Sequence, residues 1–278
     1  MSRLAQQFAI LKKQRRTALI PYVMAGDPAP WITVPLMHAL VRSGVNVIEL
    51  GVPFSDPMAD GPIIQRAAER AIKHHIGLKR VLEIVREFRT KDTTTPIVLM
   101  GYLNPIEVTG HEAFAAQAEA AGVDGVLTVD LPPEEAQPVL AAFERHGLDP
   151  IFLIAPTTGP DRMRTIAQAA RGFIYYVSLR GVTGASHLNV NEVSRKIQAI
   201  RRLTELPVGV GFGISGPETA AEVAQFADAV VVGSAIVRRM EENAAHPERI
   251  LAEVPSFVGR LRSAMDRASE TRAAGGAR

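Results

Sequence analysis

The sequence predicts a closed barrel of eight parallel β/α units, and three observations predict it. Short apolar segments alternate with stretches of helical period, the pattern of parallel strands joined by helices. There are eight such segments: Ala18–Met24, Asn46–Leu50, Pro96–Tyr102, Asp124–Val129, Pro150–Ile154, Phe173–Ser178, Pro207–Phe212 and Asp228–Val232. The length of 278 residues is usual for a single (β/α)8 barrel and long for one sandwich. With 47% hydrophobic and only 22% charged residues, the chain can fill one large core. A doubly wound open sheet is the weaker alternative.

The opening residues carry Arg3, Lys12, Lys13, Arg15 and Arg16 and no acid before Thr17. A transit peptide has that composition. Leu4, Phe8 and Leu11, however, fall at helical spacing and favour an amphipathic helix packed across one end of the barrel. Between the strands, Ile32, Leu36 and Leu40, and later Leu140 and Phe143, keep a helical period. Gly44, Gly122, Gly147 and Gly172 stand where helices should end before the next strand. After the last strand, Ile250, Val254, Phe257, Val258 and Leu261 form the cleanest helical stripe in the chain. A single domain is expected over residues 1–267, with a tail at 268–278 that frays, small and polar from Ala273 onward.

Most predicted strand starts lie 21 to 28 residues apart, but Asn46 to Pro96 spans 50 and Phe173 to Pro207 spans 34. Extra chain therefore follows strands two and six, at the end where barrels of this kind build their active sites. The first enlarged loop, Gly51–Gly61, is flanked by two acids, Glu49 within an apolar strand and Asp60 before a helix. A lone acid in such a strand is costly to bury unless it is paired or used. Structural readings also exist: a buried ion pair for Glu49 and a helix N-cap for Asp60. The second enlarged loop, Leu179–Val190, is rich in glycine, as a lid would be.

Strand seven ends in Gly211-Phe212-Gly213 and strand eight runs into Gly233-Ser234. Glycines there let backbone N–H groups approach an anion, and a helix starting at Ser234 would aim its N-terminus at the same point. Phosphate binding is the expected use, with Gly184 of the lid a further contributor. Tight turns that need glycine are the alternative.

None of the seven histidines lies in a predicted strand, nor does any lysine or arginine, so neither a Schiff-base lysine nor a histidine metal cluster is visible. The chain has no cysteine, which excludes disulfides and a cysteine nucleophile. A formal net charge of +2 argues against a dedicated nucleic-acid binder, and no apolar run reaches the length of a membrane span. What remains is carboxylate acid/base chemistry on a phosphorylated substrate in an apolar pocket. Tyr22, Tyr102, Tyr175 and Phe212, at strand ends, would line it or fill the barrel core.

The wording of these segments is specific. Ile48-Glu49-Leu50-Gly51-Val52-Pro53-Phe54-Ser55-Asp56-Pro57-Met58-Ala59-Asp60-Gly61-Pro62 closely resembles the signature of the tryptophan synthase alpha subunit family. So do Ala25-Gly26-Asp27-Pro28, Met100-Gly101-Tyr102-Leu103-Asn104-Pro105, Asp130-Leu131-Pro132-Pro133, Gly181-Val182-Thr183-Gly184 and Gly233-Ser234-Ala235-Ile236. The resemblance covers essentially the whole chain. Met24 departs from the threonine many members carry, and Leu179-Arg180 opens the lid where the family varies.

The resemblance implies a lyase of tryptophan biosynthesis that reversibly cleaves indole-3-glycerol phosphate to indole and glyceraldehyde 3-phosphate. Glu49 matches the general acid/base, Asp60 the acid that hydrogen-bonds the indole N–H, and Tyr175 a supporting hydroxyl. Tyr22, Met100, Leu127 and Phe212 fall on the indole pocket, and Thr183 matches the lid residue that closes against Asp60. Gly184, Gly213, Gly233 and Ser234 match phosphate contacts. The resemblance further implies no cofactor in this chain, a cytoplasmic location, and a beta subunit carrying pyridoxal phosphate (PLP). Two alpha and two beta subunits would pass indole between their sites, with Pro53–Pro57 and Asp130–Pro133 on the correct end of the barrel to dock. A self-sufficient indole-releasing lyase and a catalytically silent phosphometabolite-binding barrel are the alternatives.

Overall fold

A computed structural model describes residues 2–178, 190–211 and 213–275. Eight parallel strands close into a barrel in sequence order, with the eighth hydrogen-bonded to the first. They are β1 (Ala18–Met24), β2 (Ile48–Gly51), β3 (Ile97–Gly101), β4 (Gly125–Thr128), β5 (Asp149–Ile154), β6 (Ile174–Val177), β7 (Val208–Gly211) and β8 (Ala229–Val232). This is a (β/α)8, or TIM, barrel.

β1 matches its predicted span, whereas most of the others are a residue or two shorter. The reason is chemical in three cases. Asn46, Asp124 and Asp228 were expected to open strands. Instead their side-chain oxygens accept the N–H of Leu19, Ile97 and Val208 in the neighbouring strand, at 2.9, 2.8 and 2.9 Å. A side chain takes the place of a ladder carbonyl, and the regular strand starts just after it.

The helices form the outer layer. α1 (Arg3–Gln14) precedes the barrel, and α2 (Thr33–Arg42) follows β1. The long interval after β2 holds α3 (Pro62–Lys73) and α4 (Leu78–Arg89). α5 (Leu103–Thr109) and α6 (His111–Ala121) follow β3, and α7 (Gln137–Arg145), α8 (Pro160–Ala169), α9 (Val190–Arg201) and α10 (Pro217–Ala224) follow the next four strands. α11 (Ser234–Glu242) and α12 (Pro247–Gly275) close the chain.

Side chains alternate across the strands, and the alternation makes two cores. Leu19, Ile48, Leu50, Ile97, Leu99 and Ile154 face outward into the layer between sheet and helices. Ile20, Val47, Val98, Leu127, Ile151 and Phe173 fill the barrel interior, and Leu4, Phe8 and Leu11 of α1 pack against them from below. α1 is thus the amphipathic helix its spacing predicts. Ser2 caps it by accepting the Ala5 N–H at 3.2 Å, and Arg3 pairs with the buried Asp124 at 2.8 Å. The four predicted helix-ending glycines, Gly44, Gly122, Gly147 and Gly172, all have positive φ. Among the described residues no helix is long and apolar enough to cross a membrane.

Candidate active site

Glu49 lies on β2, in register with Tyr22 of β1 and Val98 of β3. Val47 and Glu49 share a strand face, which carries the carboxyl into the barrel mouth. It is 1% exposed, and among the described residues neither of its oxygens has a hydrogen-bond partner. No ion pair to Glu49 is found among the described residues. Burial, and secondarily the charge of Asp60, raise its pKa from 4.5 to about 8. Glu49 is consequently a neutral acid at pH 7, able to donate a proton.

Asp60 ends the loop after β2 and is half-buried. It is not a helix cap: Gly61 occupies the cap position of α3 and no side chain caps it, with Pro62 as the first helical residue. The Tyr102 hydroxyl instead donates to Asp60 Oδ2 at 3.1 Å and accepts the Ala59 N–H at 3.0 Å. The Phe54 ring stacks on Tyr102 with centroids 5.1 Å apart. Gln65 Nε2 donates to the Asp60 carbonyl at 2.9 Å and fastens the loop to the first turn of α3. Burial raises the Asp60 pKa, and the Tyr102 hydrogen bond opposes that by favouring the carboxylate.

Two tyrosines fill the mouth. Tyr22 and Tyr175 are buried, and burial pushes both phenols well above their ordinary range, with the Glu49 charge adding to it. Each relies on a glycine in a nearby strand. A Cβ at Gly51 would stand 2.2 Å from the Tyr22 hydroxyl, and one at Gly211 would stand 2.2 Å from that of Tyr175. Both glycines leave a side-chain position empty so that a phenol can occupy it.

Tyr22, Glu49, Asp60, Met100 and Tyr175 line one cleft of about 210 Å³, and Gly213, Gly233 and Ser234 line the same cleft. Ile63 and Ile64, from the first turn of α3, complete its apolar wall with Ile214 and Val231. The sequence reading missed these four. Leu127, assigned to the pocket, is fully buried in the barrel interior and is not among the lining side chains. Thr183, Gly184 and Phe212 lie outside the described residues, as does the segment expected to form a lid from Leu179 to residue 189.

The glycine end of the cleft is shaped for an anion. Gly213 has φ +75°, and Gly233 leads directly into α11, which begins at Ser234 as the sequence predicts. The first turn of a helix leaves N–H groups without helical acceptors and carries the positive end of its dipole. Behind this turn, Glu241 of α11 accepts from Arg66 and Arg70 of α3 at 2.7 and 2.8 Å. Arg70 also clamps the fully buried Asp27 at 2.6 Å. The helix after Asp60 and the helix at the anion end are thereby tied together. Among the described residues, no group of three or more His, Cys, Asp or Glu is arranged to hold a metal ion. The adjacent histidines His74 and His75 end α3, where His74 Nε2 lies 3.0 Å from the Pro28 carbonyl oxygen.

Comparison with known proteins agrees with this arrangement. The family described as "Tryptophan synthase alpha chain" matches residues 8–266. The tryptophan synthase alpha chain of Thioalkalivibrio sulfidiphilus is 57% identical over 266 residues, covering 96% of this chain and 100% of its own. Subunit alpha of Legionella pneumophila tryptophan synthase superposes with a TM-score of 0.90 at 47% identity, covering 96% and 99% of the two chains. An aminoacrylate-bound tryptophan synthase from M. tuberculosis gives 0.85 at 37% identity, covering 95% and 100%.

Proposed function

The chain belongs to the tryptophan synthase alpha chain family, and on that premise we propose a reading of how its cleft works. The chain is a lyase that reversibly cleaves indole-3-glycerol phosphate to indole and glyceraldehyde 3-phosphate, the alpha half-reaction of tryptophan synthesis. The observation that carries the mechanism is two carboxyl groups held in different surroundings within one apolar cleft. Glu49 is buried, unpartnered and raised to about 8, while Asp60 accepts a phenolic hydrogen bond. Environments that separate two acids in this way assign one as proton donor and the other as charge stabiliser.

The steps balance with those two groups alone. Protonated Glu49 gives its proton to indole C3, and positive charge develops at the ring nitrogen. The Asp60 carboxylate accepts a hydrogen bond from that N–H and stabilises the charge. Glu49, now a carboxylate, takes the proton of the side-chain hydroxyl. The C–C bond to C3 breaks as the carbonyl of glyceraldehyde 3-phosphate forms, and its electrons restore the aromatic indole. Glu49 ends protonated again. Tyr175 sits beside the reacting carbons, and Tyr22 and Met100 flank the ring. Gly213, Gly233, Ser234 and the opening turn of α11 receive the phosphate.

The partner reading is a beta subunit in an assembly of two alpha and two beta chains, with indole passing to a PLP-dependent site there. The exposed apolar side chains at the barrel mouth support it. Met58 and Val108, on the loop after β2 and the helix after β3, are 87% and 82% exposed. Indole release by the purified chain, alone and with a beta subunit, tests the reading. Release in both conditions and faster release with beta are expected. Absence of release by the folded chain in either condition contradicts it.

A further inference from the structure

The anion end of the cleft does not stop at Ser234. Gly213, Ile214 and Ser234 also line a second, larger cavity of about 590 Å³ that runs outward between α11 and α12. Three arginines border it: Arg238 and Arg239 from α11 and Arg260 from α12. No carboxylate of the described residues lies within ion-pair distance of any of them, although Glu242 and Glu253 border the same cavity. Glu253 instead accepts the Asn243 side-chain N–H at 2.9 Å.

Two of these guanidinium groups are held in place without a counter-ion. Arg239 lies 3.5 Å over the Phe257 ring centroid and donates to the Ala235 carbonyl at 2.6 Å. Arg260 lies 5.8 Å from the same ring and donates to Ser256 Oγ at 3.0 Å. Burial lowers the Arg239 pKa, and the charges of Arg260 and Arg238 lower it further against the opposing pull of Glu242. Preorganised cations that repel one another, with Ser215, Ser234 and Ser256 lining the same cavity, suit an anion supplied from outside.

We infer that this outer cavity is a second phosphoryl subsite, contiguous with the first. A diphosphate would place one phosphoryl group at the start of α11 and the other among Arg238, Arg239 and Arg260. The spacing fits: Arg238 stands four residues after Ser234, about one helical turn and about 6 Å along the same face. The inference rests on the phosphate reading of Gly213, Gly233 and Ser234, and it adds a class of ligand, diphosphates, which would compete with the substrate.

The test compares inorganic phosphate and inorganic pyrophosphate as inhibitors of indole-3-glycerol phosphate cleavage by the full chain, in chelator so that no metal bridges the anions. Both compete with substrate, and pyrophosphate binds more tightly by about tenfold, the effect of one charge-assisted contact. In the Arg238→Gln/Arg260→Gln variant that preference falls to near unity, while phosphate inhibition and kcat stay close to wild type. Both side chains are exposed, and the wild-type comparison stands without the variant. Equal inhibition by the two anions in the wild type, or a preference that survives in the variant, overturns the second subsite. If neither anion competes, the first subsite fails as well, so the two failures are distinguishable.

Discussion

Glu49 concentrates the chemistry because none of the described residues satisfies it. A buried carboxyl without a hydrogen bond costs stability, and the cost is greatest when it is ionised. Its folded-state pKa of about 8 lies above the ordinary 4.5, so the unfolded chain releases the proton first as pH rises. Between those values the native state holds more protons, and stability falls with rising pH until both states are ionised. Glu49→Gln removes that slope. Urea unfolding at intervals from pH 5 to 8.5 should show the variant gaining on the wild type as pH increases; parallel curves would mean Glu49 titrates normally. The acid was legible in the sequence because a charge inside an apolar strand has few structural excuses. Its missing partner was not legible, since only the closed barrel shows which side chains surround it.

The loop after β2 and the strand ends around it turn two acids into a site. Tyr102 is the connection, donating to Asp60 and accepting from Ala59 while stacked on Phe54. Tyr102→Phe should lower kcat/KM by about tenfold, the worth of a hydrogen bond to a charged group. It should also raise the Asp60 pKa further, so that the acid limb of the pH profile moves upward. An unchanged acid limb would mean that Tyr102 does not set the state of Asp60. Tyr102 was visible only as one aromatic among several, because its partner lies 42 residues earlier in the chain. Separation in sequence likewise hid the pairing of Gly51 with Tyr22 and of Gly211 with Tyr175, where a strand glycine makes room for a phenol. Local pattern did reveal the helix starting at Ser234 and the amphipathic α1, since each depends on nearest neighbours along the chain. It misjudged strand starts at Asn46, Asp124 and Asp228, where a polar side chain substitutes for the backbone of an adjacent strand.

The barrel brings these parts together by order alone. Eight strands in sequence place the loops after β2 and β3 beside each other and the turns after β7 and β8 beside each other. The two acids and the anion turns thus meet across one mouth, and Arg70, through Asp27 and Glu241, braces the helices behind them. The fold class was legible from alternation and spacing because each β/α unit is a local pattern repeated eight times. The residues of the cleft that escaped notice, Ile63, Ile64, Ile214 and Val231, are ordinary apolar side chains whose role comes only from where the mouth closes. Cleavage of indole-3-glycerol phosphate across pH 6 to 10, in the wild type and in Glu49→Gln, is the most direct test of the acid/base account. Wild-type kcat/KM should hold level up to about pH 8 and then fall as Glu49 loses its proton, while the variant is slower by about 10²-fold or more throughout. A folded Glu49→Gln variant that releases indole within a few-fold of wild type would contradict it.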